Sequence, residues 1–333
     1  MLKTLYIVKL YKLLLSYFLV NILRGLKGRD LLSISDLSRE ELVYILEVSK
    51  MLKGRYYAGE VIIPLLNGKT LAMIFQKPST RTRVSFEVAM YQLGGYALYL
   101  NWNDLQLGRG ESIADTARVL SRYVNGITAR VLKHTDLEEL AKYSSVPVIN
   151  ALSDLEHPCQ ALADVLTIWE KKGKLEGIKL AFVGDGSDNV LHSLLLACAK
   201  LGINISIATP PGYEPKKEIL RIAEEEGSRY GSLIEIVREP EVAVRGADVI
   251  YTDVWVSMGQ ESERAKRISD LSRYRVTVDL MKLAKEDAIF MHCLPARRGE
   301  EVVDEVIDGK WSVVWDQAEN RLHVQKALLS LLL

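Results

Sequence analysis

Between Pro78 and Arg83 the chain sets three hydroxyls, Ser79, Thr80 and Thr82, among two guanidiniums, Arg81 and Arg83. Hydroxyls and planar guanidinium forks are the donors that phosphate oxygens accept from most readily. Leu71 to Phe75 before them is a short apolar run that reads as a buried strand, and Pro78 ends it. After them Phe86, Ala89, Met90 and Leu93 repeat at helical spacing, and Gly94-Gly95 closes the run. The donors therefore stand at a helix N-terminus, where unpaired backbone N–H groups and the helix dipole already favour an anion. A plain helix cap needs one hydroxyl, so five donors are an over-supply that points to an anion site.

Further along, other polar groups interrupt apolar strands or follow them. Arg130 lies inside the strand-like run Ile127 to Val131. It reads either as an edge residue facing water or as a guanidinium aimed at the anion site. His157 precedes Pro158, which suits a first helical position, so the imidazole sits at or near an N-cap and resists protonation there. Asp253 follows the strand 248–252, at the carboxyl end where open α/β sheets place ligands. Cys293 follows the strand 288–291 and reads as packing or, beside Asp253, as a polar partner for an amine.

The elements that must carry these groups form an α/β pattern. Strands at 96–100, 127–131 and 146–150 follow the first. A polar loop spans 101–111, helices are expected over 112–123 and 158–171, and an amphipathic helix with a Ser38-x-x-Glu41 capping box precedes them all. In the second half, strands at 178–183, 203–208, 233–237, 248–252, 288–291 and 311–315 alternate with helices at 190–200, 215–227, 239–245, 276–284 and 301–307, and a final helix begins at Asp316. The polar stretch from 260 to Arg275 reads as a lid. The fold class is α/β: two open parallel-sheet domains of similar size joined by long helices. Residues 1–26 read as an added extension rather than a targeting segment, 27–168 as a first domain and 169–317 as a second, and the helix 318–333 is expected to pack back on the first domain.

Composition narrows the function. The 333 residues carry 43 Lys plus Arg and 43 Asp plus Glu, so no nucleic-acid partner is expected. Three cysteines, Cys159, Cys198 and Cys293, without a Cys-x-x-Cys pair, fit a reducing compartment and give no zinc spacing, so no metal is expected. The apolar run Leu13 to Leu23 is shorter than the roughly 20 residues that span a bilayer, and no membrane partner is expected. Gly184-x-Gly186-x-x-Asn189 mimics a dinucleotide fingerprint, but its third glycine is missing and the next strand ends in Thr209-Pro210-Pro211 with no acid for a ribose.

The segment Phe75-Gln-Lys-Pro-Ser-Thr-Arg-Thr-Arg-Val-Ser-Phe-Glu87 resembles the carbamoyl-phosphate signature of the transcarbamylases. His157-Pro-Cys-Gln160, Asp253-x-x-x-Ser257-Met258-Gly259 and His292-Cys-Leu-Pro295 are similar to motifs of the ornithine-type branch of the aspartate/ornithine transcarbamylase family, and the resemblance covers the chain from about Leu26 onward. It implies a carbamoyltransferase acting on carbamoyl phosphate and L-ornithine to give citrulline and phosphate, with no cofactor. A sibling transferase using putrescine or an acylated ornithine, and a non-catalytic carbamoyl-phosphate-binding protein, are the alternatives. By resemblance, carbamoyl phosphate is held by Ser79, Thr80, Arg81, Thr82, Gln106, Arg130, His157, Gln160 and Arg321, with Gln106 reaching across a subunit boundary. Ornithine is held by Asn189, Asp253, Ser257, Met258, Cys293 and Leu294, and the catalytic groups are Arg130, His157, Asp253 and Cys293. A cytoplasmic homotrimer, or a multiple of trimers, is the implied assembly.

Overall fold

A computed structural model describes residues 25–257 and 260–333. Most of the expected extension 1–26, and Met258 of the expected ornithine site, lie outside the described residues.

The first half runs α1 (Arg39–Tyr57), β1 (Thr70–Phe75), α2 (Thr80–Gln92), β2 (Tyr96–Asn101), α3 (Ile113–Leu120), β3 (Gly126–Arg130), α4 (His134–Tyr143), β4 (Val148–Leu152) and α5 (Pro158–Lys172). The second half runs β5 (Lys179–Val183), α6 (Asn189–Leu201), β6 (Asn204–Ala208), α7 (Lys217–Tyr230), β7 (Ile234–Val237), α8 (Pro240–Val244), β8 (Val249–Thr252), α9 (Arg264–Leu271), α10 (Val278–Met281), β9 (Ile289–His292), α11 (Asp304–Ile307) and α12 (Val314–Leu332). The strands form two parallel sheets, ordered β2-β1-β3-β4 and β7-β6-β5-β8-β9.

This order decides where ligands can bind. In each sheet the chain starts at a central strand, builds outward on one side, then returns to build on the other. The crevice at such a reversal, outside the strands' carboxyl ends, is where open α/β sheets bind ligands. In the first sheet it lies between β1 and β3, which carry the Ser79 segment and Arg130. In the second it lies between β5 and β8, which lead into Gly184 and Asp253.

The two halves share one apolar core. Leu162 and Leu166 of α5, Leu194 and Leu195 of α6, and Val324 and Leu328 of α12 are fully or almost fully buried in the same cluster. The C-terminal helix packs on α1, α2 and α5, as expected, and Gly28 N–H donates to Leu332 C=O at 2.9 Å.

One expectation needs correction. Residues 311–315 are not a strand: Phe290 N–H donates to Trp311 C=O and Val313 N–H to Phe290 C=O, a single bridge, and α12 already begins at Val314. Helix α4 was unanticipated, because only Leu137 and Leu140 of its ten residues are buried and its apolar periodicity is faint. The expected lid contains α9, whose Arg267 is buried at its centre.

Candidate active site

The two reversal points face one another across a cavity of about 630 Å³. Its lining includes Ser79, Thr80, Arg81, Thr82, Arg130, His157, Gln160 and Arg321 from the first sheet and its helices, and Asn189, Asp253, Ser257, Cys293 and Leu294 from the second.

On the first wall, Ser79 caps α2 by accepting the Thr82 N–H at 3.3 Å. Thr82 is buried, and its hydroxyl accepts from Arg321 Nη2 at 3.2 Å, which leaves the hydroxyl proton free to donate. Arg321 also donates through Nη1 to Gln160 Oε1 at 2.6 Å. Arg83 is not part of this wall: it is exposed, pairs with Glu87 at 3.1 Å and stacks on Tyr99 at 3.8 Å from the ring centroid. Helical geometry turns it away, since Arg81 and Arg83 are two residues apart and so point to different faces.

Arg81, Arg130 and Arg321 converge on the cavity. Burial, reinforced by Arg321 and Arg81, lowers Arg130 to about 10. Burial pushes the Arg321 guanidinium down as well. His157 is the N-cap of α5 with Pro158 at N1, as expected. Its pKa falls well below the ordinary histidine value, chiefly through burial and then through Arg321, Arg130 and Arg81. The ring is neutral at pH 7, and Nδ1 has no hydrogen-bond partner among the described residues. Three mutually repelling cations and a neutral imidazole make a wall that a multiply charged oxyanion completes.

The opposite wall is acidic. Asp253 accepts the Val254 N–H at 2.7 Å, and Cys293, held as a thiol by burial and then by Asp253, lies beside it. Asp188, an ordinary helix cap by sequence, also lines the cavity. Its carboxylate caps α6 by accepting from Val190 N–H at 3.0 Å and Leu191 N–H at 3.2 Å. Burial, followed by repulsion from Asp253, raises its pKa well above the carboxylate range. Asn189 Nδ2 donates to Ser153 C=O at 2.5 Å, bridging the walls.

The Asp188 cap also argues against a dinucleotide at Gly184-x-Gly186. A pyrophosphate would need the α6 N-terminus, and a carboxylate already occupies it. The second glycine is required by packing instead: a Cβ on Gly186 would stand 2.5 Å from Tyr213 C=O.

His292 shapes the loop carrying Cys293 and Leu294. Its Nδ1 accepts the Leu294 N–H at 2.8 Å, so the other nitrogen bears the proton and donates to Glu301 at 3.1 Å. This holds Leu294 in the left-handed region, at φ 60°. Asp253, His292 and Cys293 bring potential ligand atoms within 4.8 Å of one another, but with both ring nitrogens engaged His292 has no lone pair to give a metal.

Gln106 is not brought to this cavity. It is exposed in the turn Gln106–Arg109 beyond edge strand β2, on the side of β1 away from the reversal point.

Comparison with known proteins bears on these walls. Residues 29–170 match the model of the aspartate/ornithine carbamoyltransferase carbamoyl-P binding domain, and residues 176–332 that of the Asp/Orn binding domain. The ornithine carbamoyltransferase of Staphylothermus marinus is 65% identical over 93% of this chain and 99% of its own length. The one from Pyrococcus furiosus, named as anabolic, is 61% identical over 93% and 98%. Among solved structures, the Pyrococcus furiosus ornithine carbamoyltransferase superposes with a TM-score of 0.89 at 60% identity, covering 92% of this chain and 97% of that one. The ornithine transcarbamoylase of Giardia lamblia gives 0.82 at 38% identity, covering 91% and 97%.

Proposed function

The chain belongs to the aspartate/ornithine carbamoyltransferase family, and on that premise we propose that it transfers the carbamoyl group of carbamoyl phosphate to the side-chain amine of L-ornithine, in the biosynthetic direction. The observation that carries this is the facing of a guanidinium-rich wall and a carboxylate-rich wall across one cavity. One suits a phosphorylated donor and the other a cationic amine.

In this reading Ser79, Thr80, Arg81 and Thr82 hold the phosphate, and Arg130, His157 and Arg321 donate to the carbonyl oxygen. Polarised in this way, the carbonyl carbon accepts the ornithine amine, and the negative charge that develops on oxygen meets donors already in place. Gln160 Oε1 accepts from the carbamoyl NH2. Asn189, Ser257, Met258 and Leu294 hold ornithine. Asp253 and the Cys293 thiol orient its side-chain amine, which is mostly protonated at neutral pH and must lose a proton before attack. A C–N bond then forms, the new ammonium nitrogen passes a proton to the phosphate oxygen as the C–O bond breaks, and citrulline and hydrogen phosphate leave. The reaction involves no redox change and so calls for no redox cofactor, and the guanidiniums and His157 polarise the carbonyl where a metal otherwise would. Holding both reactants in attack geometry contributes about 7–11 kcal/mol.

Gln106 supports a shared site. It is exposed outside its own chain's cavity, which fits delivery to a neighbouring copy, and we assign a homotrimer or a multiple of trimers. No helix among the described residues is long and apolar enough to cross a membrane, and free Cys159, Cys198 and Cys293 fit the cytoplasm.

The test is a citrulline assay with carbamoyl phosphate and, in parallel, L-ornithine, putrescine and N-acetylornithine, alongside solution mass. Citrulline formation with ornithine preferred supports the reading. Turnover only with another amine, or carbamoyl-phosphate binding without turnover, refutes it.

A further inference from the structure

Asp164 lies on α5 about one turn past Gln160 and two turns past the His157 cap, and it is completely buried. Its Oδ1 accepts from Gln160 Nε2 at 2.8 Å and from Gln317 Nε2 at 2.7 Å, and its Oδ2 accepts from Tyr251 Oη at 3.1 Å. Gln317 Oε1 in turn accepts the His292 N–H at 2.9 Å. Three segments therefore meet at one carboxyl group, α5, α12 and β8, and Gln317 links it to the end of β9.

We propose that Asp164 is a positioning residue that fixes the Gln160 amide so that Oε1, not the NH2 group, faces the carbamoyl-phosphate site. This rests on the transferase reading above and adds to it how the site recognises the carbamoyl nitrogen. A glutamine side chain can rotate by half a turn and exchange donor for acceptor. Asp164 Oδ1 already accepts from Gln317 and stays an acceptor whether or not Oδ2 carries a proton, so it holds the Gln160 NH2 toward itself and turns Gln160 Oε1 outward. Arg321, which donates only, enforces the same choice from the other side. The amide is thereby set between an obligate acceptor and an obligate donor. An outward oxygen selects a ligand bearing N–H at that point, and it leaves a ligand with a methyl group there unpaired. Tyr251 and Gln317 keep the carboxylate in place and link it to the strands that lead into Asp253 and Cys293.

The probes are carbamoyl phosphate and acetyl phosphate, which differ by NH2 against CH3, with inorganic phosphate as reference. Affinities are measured by calorimetry on the full chain, with a thermal melt of each variant. The wild type should prefer carbamoyl phosphate to acetyl phosphate by at least about tenfold. Asp164→Asn can donate where the carboxylate accepted, which frees Gln160 to flip; the preference should fall by about tenfold or more, with acetyl phosphate and phosphate affinities unchanged within about twofold. A merely structural role would weaken all three ligands together, and that outcome, or an unchanged preference, overturns the inference. Should Asp164→Asn not fold, Tyr251→Phe decides, since it removes a donor that keeps Asp164 in place: a fall in the preference supports the inference, and an unchanged preference overturns it. The wild-type citrulline assay stands apart from these readouts, so a failure of the transferase reading is distinguishable from a failure of this one.

Discussion

Arg321 Nη1 lies 2.6 Å from Gln160 Oε1, although 161 residues separate them in the chain. The contact exists because α12 returns across α5 after the second sheet is complete, bringing a guanidinium from the end of the chain to a site begun near residue 79. The same guanidinium holds Thr82, so one side chain spans the start of α2 and the start of α5.

Arg321→Ala should therefore damage more than one contact. It removes a buried donor from Gln160 and Thr82 and one of three converging cations. We expect kcat/KM for carbamoyl phosphate to fall by about two orders of magnitude or more, roughly 3 kcal/mol. Initial rates at varied carbamoyl phosphate check this.

Arg81→Ala and Asp253→Asn should separate the walls. Arg81→Ala is expected to raise KM for carbamoyl phosphate by about a hundredfold, in line with losing a charge-assisted phosphate contact of roughly 2–3 kcal/mol. Asp253→Asn should leave carbamoyl-phosphate binding near the wild-type level and impair ornithine use. Normal turnover in Arg81→Ala would contradict the phosphate assignment.

His323 offers a pH test of folding. It is buried on α12 and contacts Glu319 at 3.0 Å, and burial lowers its pKa to about 4. The unfolded chain takes up a proton near the ordinary value of 6.5, which the folded chain refuses until about pH 4. The contribution is thus present above pH 6.5 and is lost as pH falls toward 4. The stability of the wild type relative to His323→Gln should decline by about 3 kcal/mol across that window. Paired urea melts at pH 7.5 and pH 4.5 measure most of it, and comparison with the variant cancels opposing contributions from buried carboxyls such as Asp164, which burial raises to about 7.

Gly186→Ala should destabilise the fold by about 1–3 kcal/mol, because the new Cβ meets backbone rather than a yielding side chain. The nearest atom is Tyr213 C=O at 2.5 Å, with Thr209 Cγ2 at 3.1 Å. Relief by moving the 184–189 turn would displace Asp188 and Asn189, so a raised KM for ornithine should accompany the lower melting temperature.

Arg267→Met should test the support of the 254–260 segment. Arg267 pairs with buried Asp185 at 2.6 Å and donates to Trp255 C=O at 3.2 Å. Losing it strands a buried carboxylate, at a cost of about 3–5 kcal/mol. A lower melting temperature together with a higher KM for ornithine, and little change for carbamoyl phosphate, is the expected pattern.

Much of this site is legible along the chain because its pieces are local. Strand, proline, hydroxyls and helix follow one another within residues 71–93, and each step is decided by neighbours: an apolar run, a missing N–H, a cap, a 3.6-residue repeat. The same holds for His157-Pro158 at the start of α5. Asp188 was legible in principle as a helix cap, but its place in the site was not, since nothing local tells a solvated cap from one facing Asp253. Arg83 carried the same chemistry as Arg81 and went to the other face of α2.

What only the tertiary structure decided is which local pieces meet. The order of strands in a parallel sheet is set by how apolar helix faces pack on it, and short strands of four to six residues do not name their neighbours, so the sequence leaves that order open. Once β1 pairs with β3 and β5 with β8, the two reversal points are determined, and with them the side chains that share a cavity. The chain by itself specified the donors, the acids and the elements that present them; the burial of a common core by α5, α6 and α12 turned them to face each other, because apolar area leaves water only in a packing that closes both sheets at once.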